Sequence, residues 1–296
     1  MRAIVLGAAA GGGFPQWNSN ATPCRRARAG DPFVKPRTQA SLAVSVNGAD
    51  WFVFNASPDL REQIAATPEL HPRAGLRSTP IAGVVLTSGE VDAIAGLLSL
   101  RERQPFTLYA TSRILAVLDA NPVFEVLARD VVPRQPMALG QPVALADGLE
   151  VTLFAVPGKA PLYLEGAGET DDGDVVGAAI SHQGRTLFYI PGCAALTPAL
   201  AARLRGAEAV LFDGTLWSDD EMIRAGLGQK TGQRMGHMSV TGPDGAIAGF
   251  AGLGVRRKVL VHINNSNPVL VDDSPERAAA EAAGWAVAHD GMEIAL

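Results

Sequence analysis

Short apolar runs recur along the whole chain: AIVLG (3–7), SLAVSVNG (41–48), WFVFNA (51–56), IAGVVLT (81–87), FTLYA (106–110) and LEVTLFAV (149–156) in the first half. VGAAISH (176–182), TLFYIPG (186–192), AVLFDG (209–214) and KVLVHI (258–263) follow in the second. Their length, their β-branched and aromatic content and the turn residues at their ends (NG at 47–48, HQG at 182–184) predict strands. Apolar positions at helical spacing predict helices over 92–103, 112–129, 197–206, 243–253 and 274–284. Early strands follow one another closely, as antiparallel neighbours do, whereas later ones alternate with helices. That mixture predicts two mixed sheets with helices outside, not one doubly wound parallel sheet.

No repeat and no linker divides residues 1–296, so a single domain is expected. Residues 164–175, LEGAGETDDGDV, are acidic, glycine-rich and aperiodic, which predicts a solvated loop or a lid. With 47% hydrophobic residues the chain can bury a sizeable core, yet it has no run near the roughly 20 apolar residues of a membrane span. The opening MRAIVLGAAAGGGFP has a short apolar stretch followed by glycines where a cleavage site would end, so it reads as a strand and turn and not as a leader. A formal charge of −5 disfavours a broad nucleic-acid surface. CRRARAG (24–30), the one dense basic cluster, reads as a solvated loop. Two cysteines, Cys24 and Cys193, cannot make a disulfide framework and suit a reducing compartment, so a cytoplasmic location is expected.

Candidate chemistry concentrates at strand ends. In LTSGEVDAIAGL (86–97) the apolar run stops and Ser88, Glu90 and Asp92 follow in steps of two before a helical pattern begins. These three suit a helix N-cap with carboxylates near the helix dipole, or a site in a cleft. GAAAGGG lacks dinucleotide-loop spacing, GLGQKTG (226–232) has Gln229 where the phosphate loop requires glycine, and no G-x-S-x-G occurs. Of the five histidines, His71, His182 and His289 sit in loop or tail contexts that suit the surface. His237 in RMGHMS and His262 at the end of KVLVHI keep company with Asp213 and Asp92, which also end apolar runs.

AAGGGFPQWN, FNASPDL, LFDGTLW, RMGHMS and HINNSNP, in that order between residues 7 and 270, resemble the PqqB family of pyrroloquinoline quinone (PQQ) biosynthesis proteins. That family is a branch of the metallo-β-lactamase superfamily. The resemblance implies an αββα sandwich of two mixed β-sheets with a site at one edge. The superfamily's H-x-H-x-D-H loop aligns with LTSGEVDAIAGL. Ser88 and Glu90 stand for its first two histidines, Asp92 is kept, and Ala93 replaces the last. VPGKAPLY (156–163) lacks the next histidine and offers Lys159 and Tyr163, while Asp213 and His262 match later ligand positions. A zinc knuckle, C-x-C-x-x-C in many relatives, is reduced here to Ser19, Ala21 and Cys24, so no structural zinc is expected.

The resemblance places the chain in PQQ biosynthesis. It implies a small-molecule PQQ precursor or PQQ as ligand, with neither nucleic-acid binding nor membrane insertion, and leaves a homodimer open. Asp92, Asp213 and His262 are the expected metal ligands for a weakly held iron(II), and His237 is a second nitrogen donor if it reaches them. Asp92, His237 and His262 are the expected catalytic residues. Gly11, Gly12 and Gly13 are expected to cradle a carboxylate, and Lys159 and Arg234 to pair with ligand charge. Two functions fit these residues: iron-dependent hydroxylation of the tyrosine ring of a Glu–Tyr-derived precursor, or a non-catalytic carrier of PQQ or its precursor that assists transport. Hydrolysis by zinc hydroxide fits least, because it would use the histidines this loop lacks.

Overall fold

The computed structural model describes residues 1–166 and 171–296. Its strands fall into two seven-stranded sheets. The first takes β1 (Arg2–Gly7), β2 (Ser41–Ser45), β3 (Trp51–Phe54), β4 (Ile81–Val85), β5 (Thr107–Ala110) and β6 (Arg134–Pro136), with β14 (Glu293–Ala295) at its far edge in the order β14-β1-β2-β3-β4-β5-β6. The second takes β7 (Pro142–Ala144), β8 (Glu150–Ala155), β9 (Val176–His182), β10 (Arg185–Ile190), β11 (Ala209–Asp213), β12 (Arg257–Val261) and β13 (Trp285–Val287) in the reverse of chain order. Both sheets are mixed in the same way. Strands β1 to β3 and β7 to β10 pair antiparallel, whereas β3 to β6 and β10 to β13 pair parallel. This is the expected αββα sandwich.

Alternation along the strands explains the layering. Leu187, Tyr189, Leu211 and Val259 of the second sheet face the first across one core, which also buries Leu42, Val53 and Leu108. Their neighbours Phe188, Ile190, Val210 and Leu260 point the other way, into a core roofed by helices. Because both faces are buried, these strands read as continuous apolar runs. Phe54 meets Tyr189 edge-on across the sandwich at 6.3 Å between ring centres.

Several sequence expectations need correction. Thr22–Arg28, which overlaps the basic cluster, is a helix with Pro23 in its first turn and Cys24 and Ala27 buried, so only part of CRRARAG is a solvated face. The helix expected over 112–129 stops at Asp119, and a 3-10 turn starts at Pro122, whose missing N–H and fixed φ favour a new start. The stretch 92–103 is an α turn (Val91–Ile94) and then a 3-10 turn (Ala95–Leu100). The four edge strands β6, β7, β13 and β14 have three residues each, too short for a periodic signal. The expected loop 164–175 includes residues 167–170, which lie outside the described residues. No helix among the described residues is long and apolar enough to cross a membrane.

Two seams tie the sheets together at one rim. The chain after β1 donates from Ala9 to Thr38 O (2.8 Å) and from Ala10 to Ile263 O (2.9 Å), touching both sheets. Val176 of β9 donates to Thr87 O at 2.9 Å, just beyond β4. The carboxyl ends of β4, β11 and β12 therefore open onto one cleft, where α/β folds commonly place ligands.

Candidate metal and ligand site

Asp213 ends β11 and is fully buried. Its carboxylate accepts from Cys193 N (2.8 Å), Thr215 N (3.0 Å) and Thr215 Oγ1 (2.7 Å), which fix both oxygens. His237 Nδ1 lies 2.6 Å from Asp213 Oδ2. His262 follows β12 with φ of +57°, a left-handed backbone uncommon for residues other than glycine. Flanking bonds fix it there: Ile263 N donates to Ala8 O at 2.9 Å and Asn264 N to Thr215 O at 3.0 Å. The two imidazoles stack with centres 5.2 Å apart.

His237 is delivered by a short device. Thr231 caps the turn Gly232–Met235 by accepting from Arg234 N, and Gly236 then reverses the chain at φ +88°. A Cβ there would stand 3.1 Å from Lys159 Cγ, so glycine suits both the angle and the space. Donor atoms of Asp213, His237 and His262 all lie within 4.8 Å of one another. Asp92 joins from the first sheet, with Oδ2 2.8 Å from His262 Nε2. Burial opposes ionisation of Asp92, but the His262 hydrogen bond and the nearby imidazoles outweigh it and hold the carboxyl below its usual range. Burial likewise disfavours charge on His262, and Asp92 overcomes it and raises that imidazole.

The donor set is chemically suited to a metal. Two imidazoles and a carboxylate on one side of an open cleft match the donors of non-haem iron sites and of zinc sites alike. His237, expected as a catalytic residue and a second nitrogen donor if it reached the ligands, is part of the cluster. Asp92, expected as a primary ligand, stands one contact further out. Thr215 went unnoticed in sequence; its hydroxyl lies 2.7–3.1 Å from Asp213, His237 Nδ1 and His262 Nδ1.

A cavity of about 950 Å³ opens beside this cluster. Gly11, Gly12, Lys159, Tyr163 and Lys230 line it. Ser88 and Glu90 line it too; Glu90 sits at the N-cap position, but neither side chain caps the helix: Ser88 Oγ accepts from Glu90 N (3.3 Å) and Glu90 Oε1 from Leu162 N (3.1 Å), fixing the facing turn. Burial, with the charge of Asp92, raises the Glu90 carboxyl. Burial also pushes the Tyr163 phenol up to about 12.

The expected ligand contacts are met only in part. Of the three expected cradle amides, Gly12 N donates to Gln39 Oε1 (2.9 Å) and Gly13 N to Ala10 O (3.1 Å), so these two are already engaged, while Gly11 lines the cavity. Arg234 is exposed and outside the cavity lining, because the Thr231-capped turn points it away from the histidines. At the reduced knuckle Cys24 is buried, with Sγ 3.5 Å from Asn265 Oδ1.

Comparison with known proteins now bears on this site. Residues 50–263 match the family described as β-lactamase superfamily domain. Coenzyme PQQ synthesis protein B of Gluconacetobacter diazotrophicus is 65% identical over 98% of each chain. The same-named protein of Xanthomonas euvesicatoria is 56% identical over 100% of each. The chain belongs to the PqqB family. The Zn(2+)-bound PqqB of Methylobacterium extorquens, known from a 1.98 Å crystal structure, superposes with a TM-score of 0.97 at 56% identity over 100% of each chain. A diphosphatase of the PhnP family shares the fold alone, at 20% identity and a TM-score of 0.71. Membership of the PqqB family assigns the chain to PQQ biosynthesis.

Proposed function

We propose that the chain hydroxylates the tyrosine ring of the Glu–Tyr-derived PQQ precursor with iron(II) held by Asp213, His237 and His262, and that Asp92 completes the site. The observation that carries this reading is the open-sided set of two imidazoles and one carboxylate within 4.8 Å, set beside a cavity of about 950 Å³. Bound iron would supply dioxygen activation. One oxygen atom enters a ring C–H bond as hydroxyl, and the other leaves as water with two electrons and two protons from a soluble reductant of the ascorbate class. The chain's own part is to orient and to exclude water. Thr215 and Cys193 N fix Asp213, Asp92 fixes His262, and the half-buried Glu90 holds the turn at Leu162 that faces the cluster.

The test is turnover of a glutamyl-tyrosine substrate by iron-reconstituted protein with ascorbate and oxygen, followed by mass spectrometry. A product heavier by one oxygen atom, lost in His262→Ala, is expected. Full turnover in His262→Ala would overturn the metal-centred reading. The carrier reading draws on the size of the cavity, which holds a ligand with or without a metal. It predicts PQQ binding without turnover.

A further inference from the structure

Two lysines from distant parts of the chain meet at the mouth of the cavity. Lys159 Nζ lies 2.7 Å from Glu165 Oε1, and Lys230 Nζ lies 3.1 Å from Glu165 Oε2. Both lysines belong to the cavity lining that includes His237 and His262, whereas Glu165 does not. One carboxylate thus bridges two ammonium groups and leaves the trio with a net positive charge. The lysines draw the Glu165 carboxyl below its usual range, which marks it as the partner of both. Glu165 keeps 42% of its side chain exposed, and ion pairs of that exposure are weak and readily exchanged. The same lining includes the apolar and adaptable side chains of Leu162, Met222 and Met235, with Tyr163.

From this arrangement we infer that Lys159 and Lys230 form a clamp for ligand carboxylates, and that Glu165 occupies the clamp in the free protein as a resident competitor. The ligand class is a small flat molecule with two or more carboxylates, its ring against the methionines and its reacting edge toward the histidines. The inference rests on the reading that PQQ or its precursor enters this cavity. It explains why the glycine loop is not needed as an anion cradle. It also gives a role to GLGQKTG, whose Lys230 faces a ligand without any phosphate loop.

Titration calorimetry of the chain of residues 1–296 with PQQ and with its uncharged trimethyl ester tests the clamp. Lys159→Met and Lys230→Met keep the aliphatic stems and remove the charges. Each should weaken PQQ about tenfold and leave the ester unchanged, and the PQQ affinity of the parent should fall with added salt. Glu165→Gln should tighten PQQ severalfold. Equal effects of the lysine changes on both ligands would overturn the clamp. Weaker PQQ binding in Glu165→Gln would overturn the competitor and make Glu165 a structural brace. If the parent chain binds neither ligand, the cavity reading itself fails together with the clamp.

Discussion

At the rim where the sheets meet, the first sheet contributes one loop, Thr87–Asp92, and the second contributes two strand ends and the turn that delivers His237. The second-sheet side is heavily cross-braced. Asp213 accepts three hydrogen bonds, and Thr215 links it to both histidines. The first-sheet side offers one carboxylate, Asp92, through a single contact to His262, while Ser88 and Glu90 accept from the backbone N–H groups of Glu90 and Leu162. Where the superfamily resemblance calls for histidines in both halves, only one half provides nitrogen donors. Ligand number on one side has been exchanged for rigidity on the other, and the first sheet's loop has become a wall of the cavity.

The largest effect should come from breaking the braced half. Asp213→Ala removes a donor from the cluster and leaves the Cys193 and Thr215 amides without partners. Unmet buried groups cost about 1–3 kcal/mol each, so a lowered melting temperature and complete loss of metal retention are expected in thermal unfolding and elemental analysis.

Glu221 supplies the next test on the same side. It is 7% exposed, accepts from Trp217 N (2.6 Å) and is bonded by Ser266, joining the loops after β11 and β12. Burial pushes its carboxyl up to about 7. For a carboxyl raised on folding, the folded state binds the proton more tightly, so stability falls as pH rises from the ordinary carboxylate range to about 7. The loss is about 3 kcal/mol at full ionisation, and Glu221→Gln should flatten that part of the pH profile of unfolding. An unchanged slope would show that Glu221 is ionised throughout.

Asp92→Ala probes the sparse half. It should weaken iron binding about 10–100-fold and leave the fold intact, as loss of a supporting carboxylate does. Thr215→Val should have the smallest effect, an affinity loss of about tenfold with melting little changed, read by competition with a chelator.

How much of this was legible in the sequence depends on where the signal resided. Strands buried on both faces announced themselves as apolar runs, and the sandwich followed from how they alternate with helices. Three-residue edge strands carry no period and were invisible. Asp213 and His262 were legible because each ends an apolar run. Thr215 was not, because a threonine two residues beyond an aspartate is common, and its meaning comes only from the fold that brings residues 237 and 262 beside it. Lys230 was hidden by a motif that had been discarded. Glu165 gains significance only when Lys159 and Lys230, 71 residues apart in sequence, close on it. The engagement of Gly12 was not legible, because sequence shows flexible amides but not that Gln39 already accepts one of them.

The most direct test of the central claim, that the second sheet's Asp213, His237 and His262 hold the metal, is iron content after anaerobic reconstitution with ferrous iron. The wild type would be measured beside Asp213→Ala and Asp92→Ala. The account predicts one iron per chain in the wild type, none in Asp213→Ala, and iron in Asp92→Ala that a mild chelator removes. Stoichiometric, chelator-resistant iron in Asp213→Ala would contradict it.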